Sequence, residues 1–208
     1  DYVTIPDITI SAGSTTGTSS FIPTDDSVYE GNETGIAAIS AVSGGGATEN
    51  GTQTQTITIT DNESAPTVTL STSATTTAEN SGGSLTLTAT LSTATTANVT
   101  VSIGTSGTAS EGTDYGTISD ITISAGSTTG TTSFTPSNDS SVEGNETATV
   151  SITGVSGGSA TENGSQAVTI TITDDDTTST VTLTSSATSI AENSGSSITP
   201  VSYTHLTL

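Results

Sequence analysis

Hydrophobic and polar residues alternate in short runs along this chain, and the runs are rich in Val, Ile and Thr. Clear examples are TVTLSTS at residues 67–73, SLTLTATL at 84–91 and AVTITIT at 167–173. Strict alternation is typical of strands that bury one face. Clusters of Gly, Ser, Asn and Asp separate the runs and indicate turns, and no stretch has the period of an amphipathic helix. The pattern therefore predicts an all-β protein.

The sequence repeats itself at a constant spacing. Residues 1–21 (DYVTIPDITISAGSTTGTSSF) recur as residues 114–134 (DYGTISDITISAGSTTGTTSF), which is an offset of 113 residues. The same offset relates Glu30 to Glu143 without insertion or deletion. A period of this length indicates a repeated domain rather than one turn of a solenoid.

This periodicity predicts one complete repeat and two partial ones. Residues 1–66 form the C-terminal part of a first repeat, residues 67–180 the complete repeat, and residues 181–200 the start of a third. Residues 201–208 (VSYTHLTL) depart from the repeat and resemble a translated sequencing adapter, so we expect them to be an artefact. Because Asp1 opens directly on strand-like sequence, we expect the chain to be a fragment of a longer protein.

The complete repeat holds seven candidate strands, near residues 67–73, 84–91, 98–103, 117–124, 130–136, 147–155 and 167–174. Seven short strands separated by turn signals predict an antiparallel, immunoglobulin-like β-sandwich. The apolar positions expected to line its core are Val68, Leu70, Leu85, Leu87, Val99, Val101, Ile103, Ile121, Ile123, Phe134, Val150, Ile152, Val168, Ile170 and Ile172.

The charge of the chain has only one sign. Its 208 residues include 21 Asp and Glu and no Lys or Arg, which gives a net charge of -21. Without basic residues, the chain has nothing to attract nucleic acid or anionic lipid. It has no Cys, which excludes disulfides, thiolate metal sites and a cysteine nucleophile. Its single His lies in the excluded tail, so no catalytic triad is expected and the chain is not predicted to be an enzyme.

The acidic residues of the complete repeat lie in its predicted loops. Loops at alternate connections of an antiparallel sandwich share one end, so we expect these carboxylates to meet: Glu79, Asp114, Asp139, Glu143, Glu146, Asp174, Asp175 and Asp176. Their mutual repulsion calls for a cation, because no basic residue is available. Ca²⁺ suits loop carboxylates because it takes about six to eight oxygen ligands in flexible geometry, whereas Mg²⁺ keeps more of its water and Zn²⁺ prefers His or Cys. The alternative is that they are solvated surface acids.

Four motifs together resemble the Calx-beta domain, a calcium-binding sandwich of sodium–calcium exchangers, integrin β4 and bacterial surface proteins. They are GTASEGTDY, ITISAGSTTGTTSF, NDSSVEGNETATVSI and VTITITDDD. In the complete repeat the resemblance implies a calcium site formed by Glu79, Asp114, Asn138, Asp139, Glu143, Glu146, Asp174, Asp175 and Asp176, with Asn138 in place of an acid. In the first partial repeat it implies Asp1, Asp25, Asp26, Glu30, Glu33 and Asp61 as ligands.

These observations predict a calcium-binding structural and adhesive module of a large secreted or cell-surface protein, of bacterial origin. Calcium is expected to rigidify each repeat and its junction, because the DDD segment ends one repeat just before Val181 begins the next. The expected partners are calcium ions, neighbouring repeats, and surface ligands or other cells. Two alternatives are a calcium-sensing regulatory domain of a membrane transporter and an accessory module of a secreted hydrolase.

Overall fold

The computed structural model describes residues 1–205, and its regular structure is almost entirely β. The strands are β1 (Val28–Tyr29), β2 (Glu33–Ala38), β3 (Thr54–Ile59), β4 (Thr67–Thr72), β5 (Thr76–Ala78), β6 (Leu85–Leu91), β7 (Ala94–Thr95), β8 (Val99–Gly107), β9 (Ile121–Ile123), β10 (Thr129–Phe134), β11 (Glu146–Ser156), β12 (Thr161–Glu162), β13 (Ala167–Thr173), β14 (Thr180–Ser185) and β15 (Pro200–His205). One short 3₁₀ helix, Glu79–Ser81, follows β5. Within residues 1–205, no helix is long and apolar enough to cross a membrane.

The complete repeat forms two facing sheets. One has the strand order β10-β6-β4-β12, and the other has the order β5-β13-β11-β8-β9. The long strands pair antiparallel, whereas the short edge strands β12 and β5 pair in parallel with β4 and β13. The predicted all-β sandwich is confirmed. The short strands were not predicted, because two or three residues carry no periodic signal.

The core lies between these sheets and is built from the alternating apolar positions. The predicted core residues are buried, except that Leu85, Ile103 and Val168 are only partly buried against it. Tyr115 was not predicted in the core, yet it is 1% exposed and stacks on Phe134 with ring centroids 4.8 Å apart. This aromatic pair anchors the loop that carries the neighbouring Asp114.

One predicted strand is shorter than the sequence pattern indicated. The pattern predicted a strand over residues 117–124, but β9 spans only Ile121–Ile123 and its pairing with β8 ends at Val101. The Asp120 carboxylate accepts the next β8 donor, the backbone N–H of Ile103, at 2.9 Å. This side-chain bond replaces a strand partner and ends the ladder.

The first partial repeat contributes a hairpin and one contact with its neighbour. Strands β2 and β3 pair antiparallel, in the same way as β11 and β13 do one repeat later. The two-residue strand β1 pairs in parallel with β7 of the complete repeat, matching Val28 with Ala94 and Tyr29 with Thr95. The first partial repeat and the complete repeat are therefore joined by strand pairing as well as by the linker of residues 61–66.

At the other end of the chain, β14 and β15 form a two-stranded antiparallel sheet. Val181 pairs with Thr204, which is the β4–β6 pairing of Val68 with Leu91 displaced by the 113-residue repeat. Part of the segment predicted to be an artefact thus lies in β15, and residues 206–208 lie outside the described part of the chain.

Candidate metal centre

Parallel pairing between the short strand β5 and β13 sets one half of the site. It matches Ala78 with Thr173, so the residues that follow, Glu79 and Asp174, leave the sheet side by side. Glu79 begins the 3₁₀ helix, which Gly82 ends in the left-handed conformation with φ 63°. One carboxylate oxygen each from Glu79, Asp174 and Asp176 lies within 4.8 Å of the others. We call these three residues the Glu79 group.

A second set of three carboxylates lies on the neighbouring loops. Glu146 begins β11, and Asp114 lies in the loop after β8, the strand beside β11. The backbone N–H of Ser110 donates to Asp114 Oδ2 at 2.6 Å and holds that side chain in place. Carboxylate oxygens of Asp114, Glu143 and Glu146 all lie within 4.8 Å of one another, and we call them the Glu146 group.

Backbone hydrogen bonds to Asp174 connect the two groups. Its Oδ2 accepts the N–H groups of Glu143 at 2.9 Å and Gly144 at 2.6 Å, and its Oδ1 accepts that of Asp176 at 2.8 Å. In return, Asn145 Oδ1 accepts the backbone N–H of Asp174 at 3.2 Å. Gly144 has φ 78°, which glycine adopts without strain. The EGNE turn (residues 143–146) and the DDD segment (residues 174–176) are therefore held together by hydrogen bonds within the protein.

The remaining predicted ligands lie beside these groups but outside them. Asp139 accepts the N–H of Ser141 at 2.6 Å, and Asn138 Nδ2 donates to the Asp139 carbonyl oxygen at 3.4 Å. The Asp175 carboxylate accepts a hydrogen bond from the Asn80 side-chain amide. The predicted cluster of eight carboxylates is thus two groups of three, with Asp139 and Asp175 adjoining them.

Burial and mutual repulsion raise the pKa values of most of these carboxyl groups. Glu79 is only 8% exposed, and burial together with the charges of Asp174 and Asp176 raises its pKa to about 7. Burial is also the largest cause that raises the pKa of Glu143, Glu146 and Asp176, and the negative charges of neighbouring acids raise it further. The pKa of Asp174 is lowered instead, because the N–H groups of Gly144, Asp176 and Glu143 stabilise its charge.

Two buried carboxylate oxygens have no hydrogen-bond partner among the described residues. They are Glu79 Oε1 and Asp176 Oδ2, both in the Glu79 group. Leaving such atoms unpaired is costly, so an additional partner is expected. With only oxygen donors and several carboxylates, the group fits a hard cation such as Ca²⁺.

The first partial repeat reproduces the Glu146 group and the hydrogen bonds that hold Asp174. Oxygens of Asp1, Glu30 and Glu33 lie within 4.8 Å of one another and form what we call the Glu33 group. Asp61 accepts the N–H groups of Glu30 at 2.9 Å, Gly31 at 2.6 Å and Glu63 at 3.0 Å.

Bonds around these residues repeat as well. Asn32 Oδ1 accepts the N–H of Asp61 at 3.1 Å, as Asn145 does for Asp174. Burial acts to raise the pKa of Asp61, but its backbone donors, first among them Glu63, bring it below the ordinary value.

The other two predicted ligands of the first partial repeat bond to its loops. Asp26 accepts the N–H of Val28 at 2.8 Å, and Asp25 accepts from the Asn62 side-chain amide at 3.2 Å.

Sequence reasoning overlooked the residues that position these ligands. Asn32 and Asn145 bond to the backbone of the terminal aspartates, and Asn80 bonds to Asp175. Glu63 was also left out of the predicted site, although the 113-residue offset makes it the equivalent of Asp176. The offset was therefore the signal that could have found Glu63, whereas Asn80 carries no comparable signal.

The fold and these loops define a β-sandwich module with a candidate cation site at one end. A family model described as the Calx-beta domain matches residues 61–176, and the chain belongs to that family. Two similar solved structures are the apo form of the Calx CBD1 domain and CBD12 from CALX1.2. The first is 22% identical over 53% of this chain and 99% of its own, with a TM-score of 0.45. The second is 22% identical over 53% of this chain and 44% of its own, with a TM-score of 0.46. Curated protein sequences gave no match.

The raised pKa of Glu79 predicts opposite effects of pH on stability and on metal binding. Between its ordinary value of 4.5 and about 7, the folded metal-free chain keeps a proton that the unfolded chain has lost. Raising the pH through this range should therefore destabilise the metal-free chain and strengthen calcium binding, which displaces that proton. Thermal melts in EDTA and calcium titrations across the range measure both. In the Glu79→Gln variant, the stability of the metal-free chain and its calcium affinity should both depend less on pH. Unchanged pH dependences in this variant would contradict a raised pKa of Glu79 as their cause.

Proposed function

We propose that this chain is a calcium-binding structural module of a large secreted or cell-surface protein, in which Ca²⁺ rigidifies each repeat and its junction with the next. The observation that carries this proposal is the place of the acidic loop of the first partial repeat. Strand β1, which lies between Asp26 and Glu30, pairs with β7 of the complete repeat. The loop that carries candidate ligands is thus also the loop that contacts the next repeat.

Calcium would be held by carboxylates that the protein cannot neutralise in any other way. The chain has 21 acidic residues and no Lys or Arg. Bound Ca²⁺ would supply positive charge to the Glu79 and Glu146 groups and a partner for the two buried oxygens. Because unfolded chains do not hold these loops together, binding would stabilise the folded state.

The junction is built so that holding the loop also holds the neighbouring repeat. Asp61 is the first linker residue, and it accepts the N–H groups of Glu30 and Gly31 directly after β1. The linker ends at Pro66, whose side chain is fully buried where the complete repeat begins. A cation on Glu30 and Glu33 would therefore reduce the freedom of the linker and of β1 together.

A stalk-like and adhesive role on the bacterial surface agrees with tandem, nearly identical repeats and a strongly acidic composition. Neighbouring repeats would be its constant partners, with surface ligands or other cells as further ones. A regulatory domain of a transporter and an accessory module of a hydrolase are the alternatives, and the domains encoded beside this segment would distinguish them.

Small-angle scattering from the monomeric chain tests the junction. Millimolar Ca²⁺ should narrow the distribution of interdomain distances, whereas Na⁺ at equal ionic strength should not, because at about 0.15 M salt screening acts over only about 8 Å. Glu30→Gln/Glu33→Gln should remove the calcium effect on the junction and leave the calcium-dependent stability of the complete repeat. The matched control is Glu143→Gln/Glu146→Gln, the same change one repeat later. It should reduce the calcium-dependent stability of the complete repeat and leave the calcium effect on the junction. Equal narrowing by Na⁺ would rule out a calcium-held junction.

A further inference from the structure

The turn between β12 and β13 contains an asparagine that is followed directly by a glycine. Of the nine Asn in the chain, only Asn163 in this turn and Asn50 have Gly as the next residue. In an Asn-Gly sequence, the side-chain amide is least hindered from reacting with the next backbone nitrogen, because glycine has no side chain and adopts most backbone conformations. The local structure of the turn then decides whether Asn163 reacts.

Hydrogen bonds hold the backbone of this turn without using the Asn163 side chain. Glu162 accepts the backbone N–H of Gln166, and Gln166 Nε2 donates to the Asn163 carbonyl oxygen at 2.6 Å. The turn at residues 49–53 repeats both bonds. Within residues 1–205, the side-chain amide of Asn163 makes no hydrogen bond. The turn thus keeps its shape while this amide stays free.

The backbone nitrogen that would attack this amide is also accessible. Asn163 and Gly164 are both exposed. The N–H of Gly164 donates no hydrogen bond to any residue in the described part of the chain, and a Cβ placed on Gly164 would have no atom within 4 Å. Solvent therefore reaches both the nitrogen that must lose its proton and the carbonyl carbon that it attacks.

Two other asparagines of the complete repeat lack these properties. Asn145 Oδ1 accepts the backbone N–H of Asp174 at 3.2 Å, and Asn98 Oδ1 accepts that of Ala125 at 2.9 Å. In both cases the next residue begins a strand, β11 or β8, and carries a side chain that hinders ring closure. Asn98 and Asn145 are therefore internal controls for Asn163.

We infer that Asn163 is a site of spontaneous modification, at which its side chain closes on Gly164 as a succinimide and is converted to aspartate and isoaspartate. The Gly164 nitrogen gives up its proton to solvent and forms a bond to Cγ of Asn163. The C–N bond of the side-chain amide then breaks, and the amide takes up a proton and leaves as ammonia. Water opens the ring at either carbonyl carbon, so the net reaction consumes water and releases ammonia. This inference is independent of the proposed calcium site.

Isoaspartate at this position would disturb the contact of the turn with β4. The N–H of Asn163 donates to the Val68 carbonyl oxygen at 2.9 Å, and the N–H of Leu70 donates to Gln166 Oε1 at 3.4 Å. Isoaspartate routes the main chain through the former side chain and lengthens it by one carbon before Gly164. Gln166 then cannot keep its bonds within the turn and to β4 together, so the β12 edge should loosen.

The turn lies at the end of the complete repeat opposite its carboxylate groups. Beside it, the N–H of Thr161 donates to the carbonyl oxygen of Pro66, the last linker residue, at 3.1 Å. Strand β13, with seven residues, separates the turn from Asp174 by about 23 Å. The modification should therefore act where the chain enters the complete repeat, and leave calcium binding by the Glu79 and Glu146 groups unchanged.

Mass spectrometry of peptic peptides, after incubation of the full chain in warm, mildly alkaline buffer, tests the inference. Pepsin replaces trypsin because the chain has no Lys or Arg. Peptides that contain Asn163 should show the mass change of deamidation and separate into aspartate and isoaspartate forms, and Asn50 should behave in the same way. Asn98 and Asn145 should keep their amides in the same sample.

A parallel incubation in urea measures how far the fold protects Asn163. Because no hydrogen bond occupies the reacting groups, Asn163 should convert in the folded chain at a rate within about tenfold of its rate in the unfolded chain. Stronger protection by the fold, or conversion no faster than that of Asn145, would overturn the inference.

Two variants separate the chemistry from its structural effect. Asn163→Gln would need a larger ring, so it should stay unmodified and melt at the same temperature before and after incubation. Asn163→Asp carries the charge of the product on an ordinary main chain, and should melt close to the unsubstituted chain before incubation. The unsubstituted chain should melt at a lower temperature as isoaspartate accumulates at residue 163. A constant melting temperature despite that accumulation would contradict the loosening of β12.

Discussion

Chelating calcium with EDTA should lower the melting temperature of the complete repeat within this chain by about 10 °C or more. A ligand present at a hundred times its dissociation constant stabilises the folded state by about 2.7 kcal/mol, and in a domain near this size each kcal/mol shifts the melting temperature by about 4–8 °C. The physical reason is the Glu79 group, in which two buried carboxylate oxygens have no hydrogen-bond partner within residues 1–205 and the charges repel one another without a cation.

Calorimetry in Ca²⁺, in Mg²⁺ at the same concentration and in Na⁺ at the same ionic strength measures this effect. Ca²⁺ should raise the melting temperature most, because Mg²⁺ demands a stricter geometry and gives up its water reluctantly. Na⁺ should act only by screening. Equal melting temperatures in Ca²⁺ and EDTA would show that the two carboxylate groups are ordinary surface acids.

Asp174→Asn should reduce calcium affinity by about 10–100-fold, although much of the role of this residue is to position others. Its two oxygens accept backbone N–H groups of Glu143, Gly144 and Asp176. An Asn amide would present N–H groups to some of these donors, so the EGNE turn should separate from the DDD segment. The two carboxylate groups would then lose their fixed relation.

Asp120→Asn is the matched control for this substitution. Asp120 also accepts a backbone N–H, that of Ile103 at 2.9 Å, but it lies beside β8 and β9 and belongs to neither carboxylate group. In titration calorimetry, the Asp120→Asn variant should bind calcium with the same affinity as the unsubstituted chain. If both variants bind calcium equally well, the hydrogen bonds to Asp174 do not organise the site.

Much of the sandwich and the neighbourhood of the site could be read from the sequence, because both depend on local patterns that the repeat presents twice. Alternating Val, Ile and Thr identified the long strands, and their inward positions became the core. The loops that carry Asp114, Glu146 and Asp174 lie at alternate connections of the predicted antiparallel sandwich, and this predicted that they share one end of the fold. Such features need no knowledge of the partner strand.

Features that depend on a distant partner could not be read in this way. Residues 16–21 and 129–134 differ at one position, yet only the second segment is a strand, since only it has β6 beside it. The pairing of β1 with β7 involves two residues on each side and leaves no periodic trace. The division of the acids into two groups depends on backbone donors to Asp174, which composition and spacing do not reveal.

The parallel pairing of β5 with β13 also determines how a pulling force would act on the complete repeat. The polypeptide enters at β4, which β5 continues, and leaves after β13, and the two paired strands point the same way. Tension between the chain ends therefore pulls these neighbours along their length in opposite directions. Their hydrogen bonds, including Thr171 N–H to the Thr75 carbonyl at 2.9 Å, carry that load in shear and must break together rather than one after another. Glu79 and Asp174 follow the last pair, so a cation between them would add its coordination bonds to the same mechanical clamp.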